Sequence, residues 1–114
     1  ITSLLEIGAK EYLATQAGVE VISVSVPGAV EIPLAAKNLI MAGCSGVVAL
    51  GAVVRGETTH YEMVCNSVER GLTHLMLEMN APIGFGVLTT ENEEQAFDRA
   101  GGKLGNKGAE AAQV

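Results

Sequence analysis

The sequence is poor in the features that mark membrane, secreted and nucleic-acid-binding proteins. Among its 114 residues there are two cysteines, Cys44 and Cys65, which show no disulfide-framework pattern, so a reducing cytosol is the expected compartment. The same two cysteines, with His60 and His74, lack the paired spacing of a zinc site. Lysine and arginine total seven against thirteen acidic residues, for a net charge of −6. The basic residues are scattered, with only Lys103 and Lys107 near each other, which argues against a nucleic-acid surface. Arg55, Arg99, Lys103 and Lys107 could still serve one small anion. No apolar run is long enough to span a bilayer, and no basic n-region precedes an apolar stretch. Internal repeats, low-complexity tracts and linkers are also missing, so a single domain covering residues 1–114 is expected.

What is abundant is apolar surface. Hydrophobic residues make up 48% of the chain, and its mean hydropathy is +0.33. So short a chain buries only a limited share of its surface alone. The surplus apolar area therefore predicts contact with other copies of the chain.

Periodicity lays out the elements. Ser3-x-x-Glu6 reads as a capping box for a helix to about Gln16, with Leu4, Leu5, Ala9, Tyr12 and Leu13 inward and Gly18 ending it. Ile22, Val24 and Val26 alternate with Ser23 and Ser25, which predicts a strand broken by Pro27-Gly28. Pro33 opens a helix to about Ala42, closed by Gly43. Val47 to Val54 has the continuous apolar character of a strand buried on both faces. After a polar break, Tyr61, Val64, Cys65, Val68, Leu72, Leu75, Met76 and Met79 recur at helical steps. Asn80-Ala81-Pro82 turns the chain into a strand over Ile83 to Leu88. Thr90-x-x-Glu93 reads as a second capping box, for a helix to about Ala100. A glycine-rich loop, Gly101 to Gly108, leads to a helix from Ala109. The alternation predicts a parallel sheet covered by helices on both faces.

Ligands of open parallel sheets bind outside the carboxyl ends of the strands. Three segments fall there: Pro27 to Glu31, Arg55 to His60, and Thr89-Thr90. In the stretch Gly51 to His60, a small-residue turn runs into a helix start, where free N–H groups and the helix dipole favour an anion. Thr58 and Thr59 add hydroxyl donors suited to phosphate. The P-loop order is absent, and an ordinary strand-to-helix turn with a threonine cap has the same pattern. His60 sits where the positive helix end disfavours its protonation, which suits a general base. A surface or packing histidine would look the same, and His74 is read that way. Cys65 reads as a small core hydrophobe. Glu31 could accept hydrogen bonds from a polyol or complement a helix dipole. Arg99 could likewise favour the dipole or reach a phosphate. The glycine-rich loop permits close backbone approach to a ligand or a neighbouring chain, or is a flexible connection.

Four stretches together resemble the lumazine synthase family: Val26-Pro27-Gly28-Ala29-Val30-Glu31-Ile32-Pro33; Gly51 to His60; Phe85-Gly86-Val87-Leu88-Thr89-Thr90; and Arg99-Ala100-Gly101-Gly102-Lys103 with Asn106-Lys107-Gly108-Ala109-Glu110. The resemblance implies a three-layer α-β-α sandwich around a flavodoxin-like parallel sheet. It also implies condensation of 5-amino-6-ribitylaminouracil with 3,4-dihydroxy-2-butanone 4-phosphate to 6,7-dimethyl-8-ribityllumazine, releasing phosphate and water, in riboflavin biosynthesis. No cofactor or metal is implied. Carried over, His60 transfers protons, while Gly56, Glu57, Thr58 and Thr59 with Arg99 hold the phosphate. Ala29, Val30 and Glu31 line the ribityl and ring site, and Val53 and Val54 flank the pyrimidine. Phe85, Arg99 and Lys107 resemble residues contributed by the neighbouring subunit of a homopentamer, which in many members builds a 60-subunit icosahedral shell. The compartment implied is the cytoplasm, or a plastid for a plant protein.

Two departures from the family pattern stand out. Val30 occupies a position where the family usually has an aromatic residue. The family's first strand, ending in an Arg-Phe-Asn type turn, and most of the last helix are missing, so a domain truncated at both ends is expected. A lumazine-binding or shell-forming homologue with impaired catalysis is the alternative these departures motivate. Another sugar-phosphate enzyme on the same architecture is a third reading.

Overall fold

A computed structural model describes residues 2–56, 60–102 and 105–113. At its centre lie two parallel strands, β1 (Val47–Val54) and β2 (Ile83–Thr90), in register from Val47 opposite Ile83 to Val54 opposite Thr90. The 20-residue helix α3 (His60–Met79) connects them. A parallel pair needs such a crossover, because a tight turn cannot return the chain to the same end. The helix ends at Asn80, whose φ of 50° places it in the left-handed region that asparagine tolerates.

Each face of the pair is covered. On one side Ala49, Val53 and Ile83 pack with Ile32 and Ala36 of α2 (Ile32–Met41) and with Val64, Val68, Leu72 and Leu75 of α3. On the other side Leu50, Ala52, Val54 and Leu88 meet Leu5 of α1 (Thr2–Leu13) and Ala96 of α4 (Glu93–Arg99). Alternate residues of one strand thus feed two separate cores, which explains the unbroken apolar run in β1. The result is the three-layer α-β-α sandwich with a parallel sheet that the sequence predicts.

The final helix, α5 (Lys107–Gln113), packs on α1 and on β2. It approaches β2 so closely that a Cβ at Gly84 would overlap the Ala111 carbonyl, and α1 so closely that one at Gly108 would overlap the Leu5 carbonyl. Among the described residues no helix is long and apolar enough to cross a membrane.

Several expectations need correction. The strand over Ile22 to Val26 does not form: residues 19–26 have no regular structure and Ile22 is 60% exposed. An alternating β-branched segment becomes a strand only where a neighbouring backbone completes its ladder, and here β1 pairs with β2 alone among the described residues. Ser3 lies inside α1 rather than capping it, and α1 stops at Leu13, where Thr15 Oγ1 donates to the Tyr12 carbonyl at 2.6 Å. The cap of α4 is Asn92, not Thr90: Asn92 Oδ1 accepts from Gln95 N at 2.8 Å, and Gln95 Oε1 accepts from Glu91 N at 2.9 Å. The glycine-rich loop contains a short antiparallel hairpin, β3 (Ala100–Gly102) with β4 (Gly105–Asn106). Gly101 and Gly105 take φ of 114° and 82° there, a conformation that few other residues adopt.

Candidate functional site

The carboxyl ends of β1 and β2 lie side by side, with Val53 opposite Thr89 and Val54 opposite Thr90. Arg55 extends the pairing, its N–H donating to the Thr90 carbonyl at 2.8 Å. Gly56 follows, and a Cβ added there would meet open space. Glu57, Thr58 and Thr59, expected to hold the phosphate, lie outside the described residues. His60 is the first residue of α3 and is exposed.

The third segment expected at this end arrives through a 3-10 turn, Ala29–Glu31, which leads directly into α2. Ala29 packs against the core that Val53 and Tyr61 share, which brings this turn beside the strand ends and the start of α3. The Glu31 side chain folds back over Gly28, with its carboxylate 3.1 Å from where a Cβ would stand. A side chain at position 28 would push that carboxylate aside by a few tenths of an ångström. Val30 is 49% exposed. Ala29, Val30, Glu31, Val53, Val54, Gly56 and His60 thus gather at one end of the sheet.

Arg99, Phe85 and Lys107 do not join that group by the same route. Arg99 ends α4, in the opposite helical layer, and its Nη1 donates to the Gln95 carbonyl at 3.0 Å. Lys107 opens α5, also in that layer, and pairs with Glu110 at 3.2 Å. Phe85 lies near the amino end of β2, opposite Ala49. At a rise of about 3.3 Å per residue it stands roughly 13 Å from Thr89. The residue is 43% exposed.

Two open grooves border the site. One, of about 380 Å³, runs between α3 and β2 and is lined by Cys65, Val68, Glu69, Phe85, Val87 and Thr89. The other, of about 390 Å³, lies between residues 24–27 and α2, with Glu31, Leu34 and Leu39 on its walls. Among the described residues, His60 lines neither.

Sequence reading missed a polar cluster beside His60. Arg55 Nη2 meets Glu62 Oε1 at 2.9 Å, and Arg55 Nε meets Glu91 Oε2 at 3.6 Å. The guanidinium carbon stands 5.5 Å from the centre of the Tyr61 ring. Thr89 and the Cys65 thiol lie close enough to the Tyr61 hydroxyl to influence its ionisation. Arg55 is thus engaged by two carboxylates and is not the spare anion ligand that its sequence position suggested. The Arg55–Glu62 spacing is visible in the sequence, but Glu91 comes near only because β1 and β2 pair in register. Burial pushes the Cys65 thiol and the Tyr61 hydroxyl above their ordinary values, and the carboxylate of Glu62 adds to the rise at Cys65. A thiol held neutral in this way is a poor nucleophile. Among the described residues no group of three or more His, Cys, Asp or Glu could hold a metal ion.

Comparison with known proteins supplies what the geometry leaves open. A family profile described as 6,7-dimethyl-8-ribityllumazine synthase matches residues 1–114. A 6,7-dimethyl-8-ribityllumazine synthase of Bdellovibrio bacteriovorus is 65% identical over 114 residues, which are all of this chain and 64% of that protein. An enzyme of the same name from Cytophaga hutchinsonii is 50% identical over 98% of this chain and 72% of its own length. Another from Nitratidesulfovibrio vulgaris is 56% identical over 78% of this chain and 58% of its own length. The chain therefore spans slightly less than two thirds of the Bdellovibrio relative.

Proposed function

The chain belongs to the 6,7-dimethyl-8-ribityllumazine synthase family, and from that premise we propose that the complete protein condenses 5-amino-6-ribitylaminouracil with 3,4-dihydroxy-2-butanone 4-phosphate. The observation that carries this reading is the meeting of the Ala29–Glu31 turn, the Val53-Val54 strand end and the His60 helix start at the carboxyl end of a parallel pair.

The chemistry suits those parts. The amine of the pyrimidine adds to the ketone, and loss of water gives an imine. Elimination expels phosphate, and the second amine closes the ring with loss of another water. Carbon, nitrogen and oxygen balance without an external oxidant or reductant. Orientation of two bound substrates is the main demand on the protein. Val53 and Val54 would flank the pyrimidine, Ala29, Val30 and Glu31 the ribityl chain and ring. Gly56, Glu57, Thr58 and Thr59, with Arg99, would hold the phosphate and stabilise its departure. His60 would carry protons between steps.

Phe85, Arg99 and Lys107 are assigned to the site of a neighbouring copy. The exposure of Phe85, far along β2 from Thr89, supports that assignment. A homopentamer, alone or in a 60-subunit shell, in the cytoplasm completes the reading.

The test is turnover by the complete protein, following lumazine absorbance and phosphate release together. His60→Ala is expected to lower kcat by about a hundredfold, the usual contribution of a positioned proton-transfer group. Arg99→Ala should mainly raise KM for the phosphate substrate. Unchanged kinetics in both variants would remove these roles. Val30, exposed where the family has an aromatic residue, favours one second reading, a lumazine-binding homologue with impaired catalysis. Tight lumazine binding by a complete protein that never releases phosphate would establish it.

A further inference from the structure

We propose that Arg55 is a positioning residue for this reaction, a guanidinium clamp that holds the start of α3, and with it His60, against the ends of both strands. The inference rests on the functional reading above for its kinetic consequences, and on geometry for the clamp itself.

Arg55 contacts β2, α3 and the turn that follows β2 at once. Its backbone N–H donates to the last residue of β2. Its Nη2 holds Glu62 in the first turn of α3, and its Nε reaches Glu91 just beyond β2. Its guanidinium carbon stands over the Tyr61 ring at 5.5 Å from the centre, and Thr89 on β2 and Cys65 one turn along α3 lie near enough to the Tyr61 hydroxyl to influence its ionisation. The two carboxylates and the ring surround one planar cation, which ties the first turn of α3 to the ends of both strands.

Only a guanidinium fits these demands. Its donors diverge in one plane and can satisfy two carboxylates while the face stacks on an aromatic ring. A lysine ammonium is a point charge and would commit to one partner. The side chains of Arg55, Glu62 and Glu91 are between 44% and 60% exposed, so water screens the pairs and they add little to global stability. Their effect is local. A displacement of about 1 Å at a reacting group is enough to cost on the order of a hundredfold in rate.

The experiment compares Arg55→Gln, Arg55→Lys and Glu91→Gln with the wild type in the complete protein, by steady-state kinetics and by amide hydrogen exchange. Arg55→Gln is expected to lower kcat by about ten- to a hundredfold while KM for each substrate stays within about twofold. Exchange at Val64, Cys65 and Asn66, whose N–H groups close the first turn of α3, should quicken about tenfold, with Leu72 to Met79 unchanged. Arg55→Lys should recover only part of both effects, and Glu91→Gln should show them in weaker form. A kcat within about twofold of wild type, a loss confined to KM for the phosphate substrate, or unaltered first-turn exchange would each overturn the clamp. Exchange needs no turnover. A wild type that fails to make lumazine would therefore sink the functional reading while leaving the clamp decided by its own measurement.

Discussion

At the scale of single residues, Tyr61 and Cys65 show how one helical turn changes side-chain chemistry. They are neighbours at i and i+4 on α3, both partly buried against the core below the sheet. Burial disfavours the ionised form of each, so both titrate above their ordinary values. The consequence for stability has a definite sign. When pH rises past the ordinary thiol value of 9.0 the unfolded chain ionises first, while the folded chain keeps its protons. The stability these groups contribute is complete below that pH and is lost as pH climbs toward their folded values. Urea midpoints should therefore be flat from about pH 7 to 8 and fall above about pH 9, and Cys65→Ala should reduce the fall. A midpoint that climbs in the same range would mean that folding favours the ionised forms instead. Cys65 was legible in the sequence as a small apolar residue on the helix stripe. The influence of Thr89 on the neighbouring Tyr61 hydroxyl was not, because Thr89 is brought there by strand pairing.

At the scale of elements, Asn106 does more than a loop residue in a glycine-rich stretch would suggest. Its Oδ1 accepts from Ala109 N at 3.1 Å, which caps α5 and starts that helix at Lys107 rather than at Ala109. Its Nδ2 donates to the Leu4 carbonyl at 3.0 Å, tying the cap to α1. Losing both bonds in Asn106→Ala should cost about 1–3 kcal/mol in urea unfolding. Asn106→Asp keeps the capping acceptor and loses the donor, so it should fall between wild type and Ala. Equal stability of all three would mean that neither bond matters. The helix periodicities of α2 and α3 and the apolar run of β1 were readable because each records one local surface facing a core. The cap of α4 was misread by two residues because several polar residues compete there, and only backbone geometry selects Asn92.

At the scale of the whole molecule, surface area is the informative quantity. The chain exposes 7055 Å², where a compact monomer of 11.8 kDa would expose about 5,900 Å². The excess, roughly 1,100 Å², approaches the area of a specific protein interface. Leu34, Met63, Leu77 and Phe85 are among the large apolar side chains that contribute to it. Sedimentation of the complete protein should therefore show a discrete oligomer, and Phe85→Glu should shift it toward smaller species. A monomer persisting at high micromolar concentration would refute the inference drawn from the apolar surplus.

The amino-acid sequence alone determined the layer order, the parallel strand β1, the long helix α3, the family resemblance and the segments that meet at the carboxyl end of the sheet. These follow from local periodicity and from motifs, which are properties of contiguous residues. Tertiary structure decided the rest. It left residues 19–26 without a ladder partner and therefore without a strand. It put Arg99 and Lys107 in the opposite layer from His60. It also turned Arg55 from a candidate anion ligand into the centre of a clamp, because Glu91 reaches the guanidinium only when Val54 and Thr90 stand side by side. Pairing between distant residues depends on register and packing, and no local pattern in the chain encodes it.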